Sequence, residues 1–173
     1  MLSFVQHIVD RGLFTFFFIL GIQCPAFLYQ YTQQLTGHFN EAKLQLSQYQ
    51  TLADLHFQGS LLQLTNHYLK NSDVVINETG KIIASLISRN EYLQFQLSGM
   101  TNASYTEQLV FFFRHVDIEI AKQTLNIFSL TVPLTLEALT TGLCIAILVV
   151  GLLQALALGL KKIFTKIKPT KVM

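Results

Sequence analysis

The sequence predicts an all-α membrane protein, with two transmembrane helices and an extracytoplasmic (periplasmic) helical bundle or coiled-coil hairpin between them. Three observations carry that prediction. Ala138 to Leu160 runs 23 residues without a formal charge, bracketed by Glu137 and by Lys161-Lys162. At about 1.5 Å per helical residue this is enough to cross a hydrocarbon layer about 30 Å thick. A second charge-free stretch, Gly12 to Asn40, follows Asp10-Arg11, and its first half, Leu13 to Leu28, is mostly Phe, Leu and Ile. Finally, 13% of the 173 residues are charged, where a soluble domain carries about 25%.

Charge asymmetry orients these spans. Lys161, Lys162, Lys166, Lys168 and Lys171 form a tail of five positives with no acid, whereas the stretch between the two charge-free runs, up to and including Glu137, holds nine acids against six bases. Because Lys and Arg near span ends stay in the cytoplasm, the tail and the N-terminus are expected inside and the middle outside. Arg11 adds little, being offset by Asp10. The expected divisions are a cytoplasmic N-terminus at 1–11, a first span at 12–33, a periplasmic bundle at 34–134, a second span at 135–160 and a basic cytoplasmic tail at 161–173. This places both termini in the cytoplasm and the middle across the membrane from them. The tail is too short and too poor in aromatics to be a nucleic-acid surface.

The first stretch reads as an uncleaved anchor. Gln23 stands before Cys24, where lipoprotein processing wants a small residue, and no small-x-small cleavage site follows. Cys24 and Cys144 both fall inside spans, at similar expected depths, so no disulfide framework staples the exported part. They read as small apolar fillers.

Tyr29 and Tyr31 suit the headgroup level. Beyond them Leu35, Phe39, Ala42, Leu46, Tyr49 and Ala53 alternate steps of four and three, a heptad seam on a helix leaving the membrane. The apolar line resumes at Phe57, Leu61, Leu64 and Tyr68 after an extra four-residue step, a stutter, and one arm is expected over 34–69. Lys70 to Asp73 forms a turn. A second helix, 73–98, carries Ile83, Leu86, Asn90, Leu93 and Leu97 in register, and Gly99 to Asn102 closes it. Ser104-Tyr105-Thr106-Glu107 is a capping box that opens a third helix, 104–130, with Leu109, Phe112, Val116 and Ile120 on its buried face. Pro133 then makes an elbow into the second span, which starts near Thr135.

No catalytic, cofactor-binding or metal constellation emerges. His38, His56 and His67 share a helical face but stand roughly 27 and 16 Å apart along it, while ligands of one zinc lie about 2 Å from the ion. There is no Gly-x-Ser-x-Gly elbow, phosphate loop or HExxH helix. Asp117 and Glu119, near Lys122, read as a solvated face.

The informative residues inside the membrane are small or amidic. Gly151, Ala155 and Gly159 repeat at intervals of four, and Gly142 with Ala146 does the same above them. Small residues so spaced admit a close neighbour, either Gly21 on the first span or another subunit. Gln23 and Gln154 must find partners inside the bundle, and Pro25 frees a carbonyl and bends the first span.

At Gly21-Ile22-Gln23-Cys24-Pro25-Ala26-Phe27, with Tyr31, Leu35, His38 and Glu41-Ala42 following, the chain resembles an uncharacterised proteobacterial inner-membrane family known only as a domain of unknown function. The similarity continues through Ala53-Asp54, Tyr68, Arg89 and Thr124-Leu125 to the Ser129–Thr135 elbow. The resemblance implies a Gram-negative inner membrane and two passes, and supplies no catalytic residue. The expected function is a non-enzymatic scaffold or accessory subunit of a larger membrane assembly or homo-oligomer, without cofactor. Its expected partners are the bilayer, its own copies or other membrane subunits, and not nucleic acid. The alternative is an oligomeric channel or a sensor of a periplasmic signal.

Overall fold

A computed structural model describes residues 2–130 and 135–167, with side chains over 9–130 and 135–156. Among the described residues the chain is all helical. Its helices are α1 (Leu2–His56), α2 (Leu61–Leu69), α3 (Val74–Thr101), α4 (Tyr105–His115), α5 (Ile118–Ile127) and α6 (Leu136–Ile167). Two are long and apolar enough to cross a membrane: α1, over Val9–His56, and α6, over Leu136–Leu156, with mean hydropathies of 1.7 and 2.3 in their most apolar windows. The chain forms two compact units, one of Met1–Phe27 with Ser129–Met173, the other of Leu28–Phe128.

Unit 1 is an antiparallel helix pair, since Gly21 meets Gly142 while Asp10 further back on α1 meets Gln154 further on along α6. Ile22, Ala138 and Ala146 are buried along this seam. α6 begins as its sequence suggests, with the Thr135 hydroxyl accepting from the Ala138 amide at 3.2 Å. The elbow with Pro133 lies outside the described residues.

Unit 2 corrects three expectations. First, no single arm runs over 34–69. α1 ends at His56, and Gln58 and Gly59 adopt φ of 52° and 81°. That left-handed backbone is cheap for glycine and reverses the chain before Ser60 caps α2. The stutter is therefore a fold-back. Ala53, Leu64 and Ile83 form a closed core with Tyr49, Phe57, Leu61, Tyr68 and Ile87 packed around it. Leu35, Ala42 and Ala53 of the predicted seam are indeed buried.

Second, α3 does not stop before Gly99 but runs to Thr101. A side chain at Gly99 would collide with the Phe111 ring, so this glycine makes room for α4 where the sequence suggested a terminus. α3 starts as expected, with the Asp73 carboxylate accepting from the Val75 amide at 2.8 Å. Third, the helix expected over 104–130 is two helices broken at Val116-Asp117. Glu107 does close the capping box at its start, taking the Ser104 amide at 2.8 Å. The break follows from Asp117, whose Oδ1 accepts from the Glu119 and Ile120 amides at 3.0 and 3.1 Å and so starts α5 afresh. The solvated-face reading of Asp117 falls with it; Glu119 is exposed.

Candidate functional site

Two constructions stand out, one in each unit. In unit 1 the small residues named from sequence divide into two groups. A Cβ at Gly21 would lie 2.6 Å from the Gly142 Cα, and one at Gly142 would lie 2.9 Å from the Phe18 carbonyl oxygen. The two backbones thus touch where neither residue has a side chain, and Ala146 one turn on is fully buried. Gly151 meets nothing within 4 Å and Ala155 is exposed, so this lower stretch is uncovered. Gly21 therefore pairs with Gly142 and not with Gly151. Gly159, Lys161, Lys162 and Lys166 lie on the α6 backbone, and Lys168 and Lys171 lie outside the described residues.

The polar residues of this unit follow the same register. The Gln154 amide reaches Asp10 Oδ2 at 3.4 Å, while Gln23 is half-buried and Arg11 exposed. Pro25 sits inside α1, which continues through it as helix. The Gly21–Gly142 register places Cys24 and Cys144 roughly a turn and a half out of step. The similar depth expected from counting inward is not what the packing gives. Cys24 is half-buried and Cys144 exposed.

In unit 2 the α4–α5 corner is fastened to α1 and α3 by a polar cluster. The Asp117 amide donates to Tyr31 Oη at 3.1 Å, and Asp117 Oδ2 accepts from Tyr92 Oη at 3.1 Å. Tyr92 Oη accepts in turn from the Gln96 amide at 3.0 Å, and the same amide donates to the His115 carbonyl at 2.7 Å. Burial pushes the Tyr92 phenol above its usual range, with Gln96 acting against the shift and the Asp117 charge adding to it. Tyr92 is therefore a protonated donor at neutral pH. A pocket of about 70 Å³ beside it is lined by His38, Arg89, Asp117, Glu119 and Gln123, and His38 Nε2 pairs with Gln123 Oε1 at 2.9 Å.

The hydrogen bonds of this cluster hold its members against one another. Both Asp117 oxygens are engaged, one by the start of α5 and one by Tyr92. Tyr31 is held edge-on against Phe112 with ring centroids 5.1 Å apart. Sequence reading missed the cluster. The available signals were an N-cap residue type at Asp117 after Val116, and Tyr92 and Gln96 one helical turn apart on α3. The 86-residue separation of Tyr31 from Asp117 hid the rest.

A family model described as a protein of unknown function (DUF2937) matches residues 5–166. No curated protein and no solved structure matches the chain.

Proposed function

The chain belongs to the DUF2937 family, and from its own geometry we propose that it is a two-pass, non-enzymatic membrane scaffold or accessory subunit. In this reading α1 and α6 cross a bacterial inner membrane, unit 2 stands in the periplasm, and the lysine tail holds both termini in the cytoplasm. The observation that carries the reading is apolar surface left at the helix corners of unit 2. Leu55, Val74 and Val75 are 71% to 74% exposed. In this reading another chain seats on them, as it does on the contiguous apolar patches that mark protein contacts. The polar cluster supports the same view, because it stiffens the α4–α5 corner into a fixed surface for a partner.

Two measurements test it. Mass of the purified protein in lipid nanodiscs is expected to exceed one chain or to include a co-purifying subunit; a sharp lone monomer removes the scaffold reading. Protease added to intact spheroplasts is expected to cleave within unit 2, and a spared unit 2 overturns the topology. The second reading, an oligomeric channel, is favoured by uncovered Gly151 and Ala155 on α6. It requires conductance in reconstituted bilayers, and silent bilayers remove it.

A further inference from the structure

Resting on the two-span reading, we propose that the outer face of α4, centred on Phe113 and Val110, lies in the headgroup layer of the bilayer, with Arg114 pairing to lipid phosphate. Packing within unit 2 uses the neighbouring side chains of α4. Phe111 packs on Phe95 at 5.6 Å and fills the space over Gly99, and Phe112 meets Tyr31. Phe113 touches the Phe112 ring edge-on at 5.8 Å but is 77% exposed, with Val110 one turn away at 52%.

Position along the chain decides what covers them. Tyr31 stands three residues beyond Leu28, the end of the apolar run, on the unbroken helix α1, so only roughly 4.5 Å further along its axis. The Tyr31–Phe112 contact therefore holds the last turn of α4 at the depth where α1 leaves the hydrocarbon. Exposed Tyr29 lies at that depth as well. Aromatic rings with one apolar flank and one wet flank favour this layer.

The charges of the face agree. Arg114 pairs with no acid among the described residues, and its planar guanidinium presents forked donors that match a phosphate. A groove of about 370 Å³ runs along α4 from Thr106 and the acid Glu107, past Val110 and Phe111, to Arg114 and His115 at its opposite end. Its apolar middle and cationic end match the upper methylenes and phosphate of one phospholipid.

The chain contains no tryptophan, so single Trp variants report their own surroundings. Phe113→Trp, Val110→Trp, Leu62→Trp and Leu148→Trp are each made in the full chain. They are reconstituted in vesicles of phosphatidylethanolamine with a minority of phosphatidylglycerol, some carrying spin label near the carbonyls and some at the acyl ends. Phe113→Trp and Val110→Trp are expected to emit to the blue of Leu62→Trp. Carbonyl-level label should quench them at least about twofold more strongly than it quenches Leu62→Trp. Adding Arg114→Gln to Phe113→Trp is expected to weaken that quenching with and without phosphatidylglycerol, and more strongly when phosphatidylglycerol adds net negative charge to the surface.

Emission and quenching equal to those of Leu62→Trp overturn the proposal. So does a blue shift without lipid quenching, which assigns the face to protein, a second copy included. Leu148→Trp lies on the exposed side of α6 and separates this proposal from its premise. Lipid quenching there and none on α4 sinks only the present inference, whereas quenching at neither sinks the two-span reading too.

Discussion

In unit 1 the two helices meet backbone on backbone at Gly21 and Gly142, with Ala138 and Ala146 buried a turn away on either side. In unit 2 the corresponding centre is a side-chain core, Ala53, Leu64 and Ile83, ringed by Tyr49, Phe57, Leu61, Tyr68 and Ile87. Unit 2 also has a close glycine: a Cβ at Gly80 would lie 2.8 Å from the Leu69 amide nitrogen. There, however, the approach serves a core that large apolar residues already form. The difference follows from the solvent each unit is read to meet. Lipid tails are as apolar as leucine, so helices in lipid gain from contact area at small residues. In water the removal of large apolar side chains does the work.

The largest expected effect breaks the unit 2 side of this contrast. Ile83→Ala should cost about 2–5 kcal/mol of unfolding free energy, because it empties a fully enclosed site. Chemical denaturation of the full chain in nanodiscs, followed by helical circular dichroism, checks it. Next, Gly142→Ala should cost about 1–3 kcal/mol, since the new methyl meets the Phe18 carbonyl and the two helices must part. Gly151→Ala, in the same helix with nothing within 4 Å, should cost nothing and so marks where the seam ends. If both alanines behave alike in thermal melts, the seam assignment is wrong.

A smaller effect concerns the corner of unit 2. Asp117→Ala removes the cap of α5 and the acceptor for Tyr92, for a loss of about 0.5–2 kcal/mol. Hydrogen exchange should quicken at Glu119 and Ile120 before it does at Ile83; equal protection would deny Asp117 its fastening role.

The smallest effects are in pH. The hydroxyl and amide of Ser104 donate to Glu107 and hold its carboxyl below its usual value of 4.5. Such a group stabilises the fold above that value, and the contribution disappears as pH falls through the depressed one. Comparing the chain with Glu107→Gln, the stability difference should shrink on acidification below pH 4.5. Tyr92 has the opposite sign. Its raised value means its contribution is complete below pH 10.0 and declines above it, a decline Tyr92→Phe should lack.

Much of this architecture was legible in the residues. The two apolar runs, the start of α6 near Thr135, the Asp73 turn and the Ser104–Glu107 box are local signals, each carried by a few neighbouring positions. The heptad seam correctly named Leu35, Ala42 and Ala53 as inward. Periodicity nevertheless read straight across the bend at Gln58-Gly59, because residues on both sides of it are apolar at helical spacing. It also read across Asp117, and it took Gly99 for a stop when its role is to admit Phe111. A pattern records which face a residue wants buried, not whether the backbone beneath it is continuous.

The sequence by itself determined that the chain is helical, which stretches suit lipid, and which faces turn inward, since hydropathy and its period are properties of neighbouring residues. Tertiary structure alone decided that Gly21 meets Gly142, that α2 folds back over Ala53, and that Tyr31, Tyr92 and Gln96 converge on the α4–α5 corner. Those pairings join residues up to 86 and 121 positions apart, at Tyr31–Asp117 and Gly21–Gly142. No local preference encodes such a distance. Only the packing of whole helices, with shapes that must fit without gaps, selects the partner.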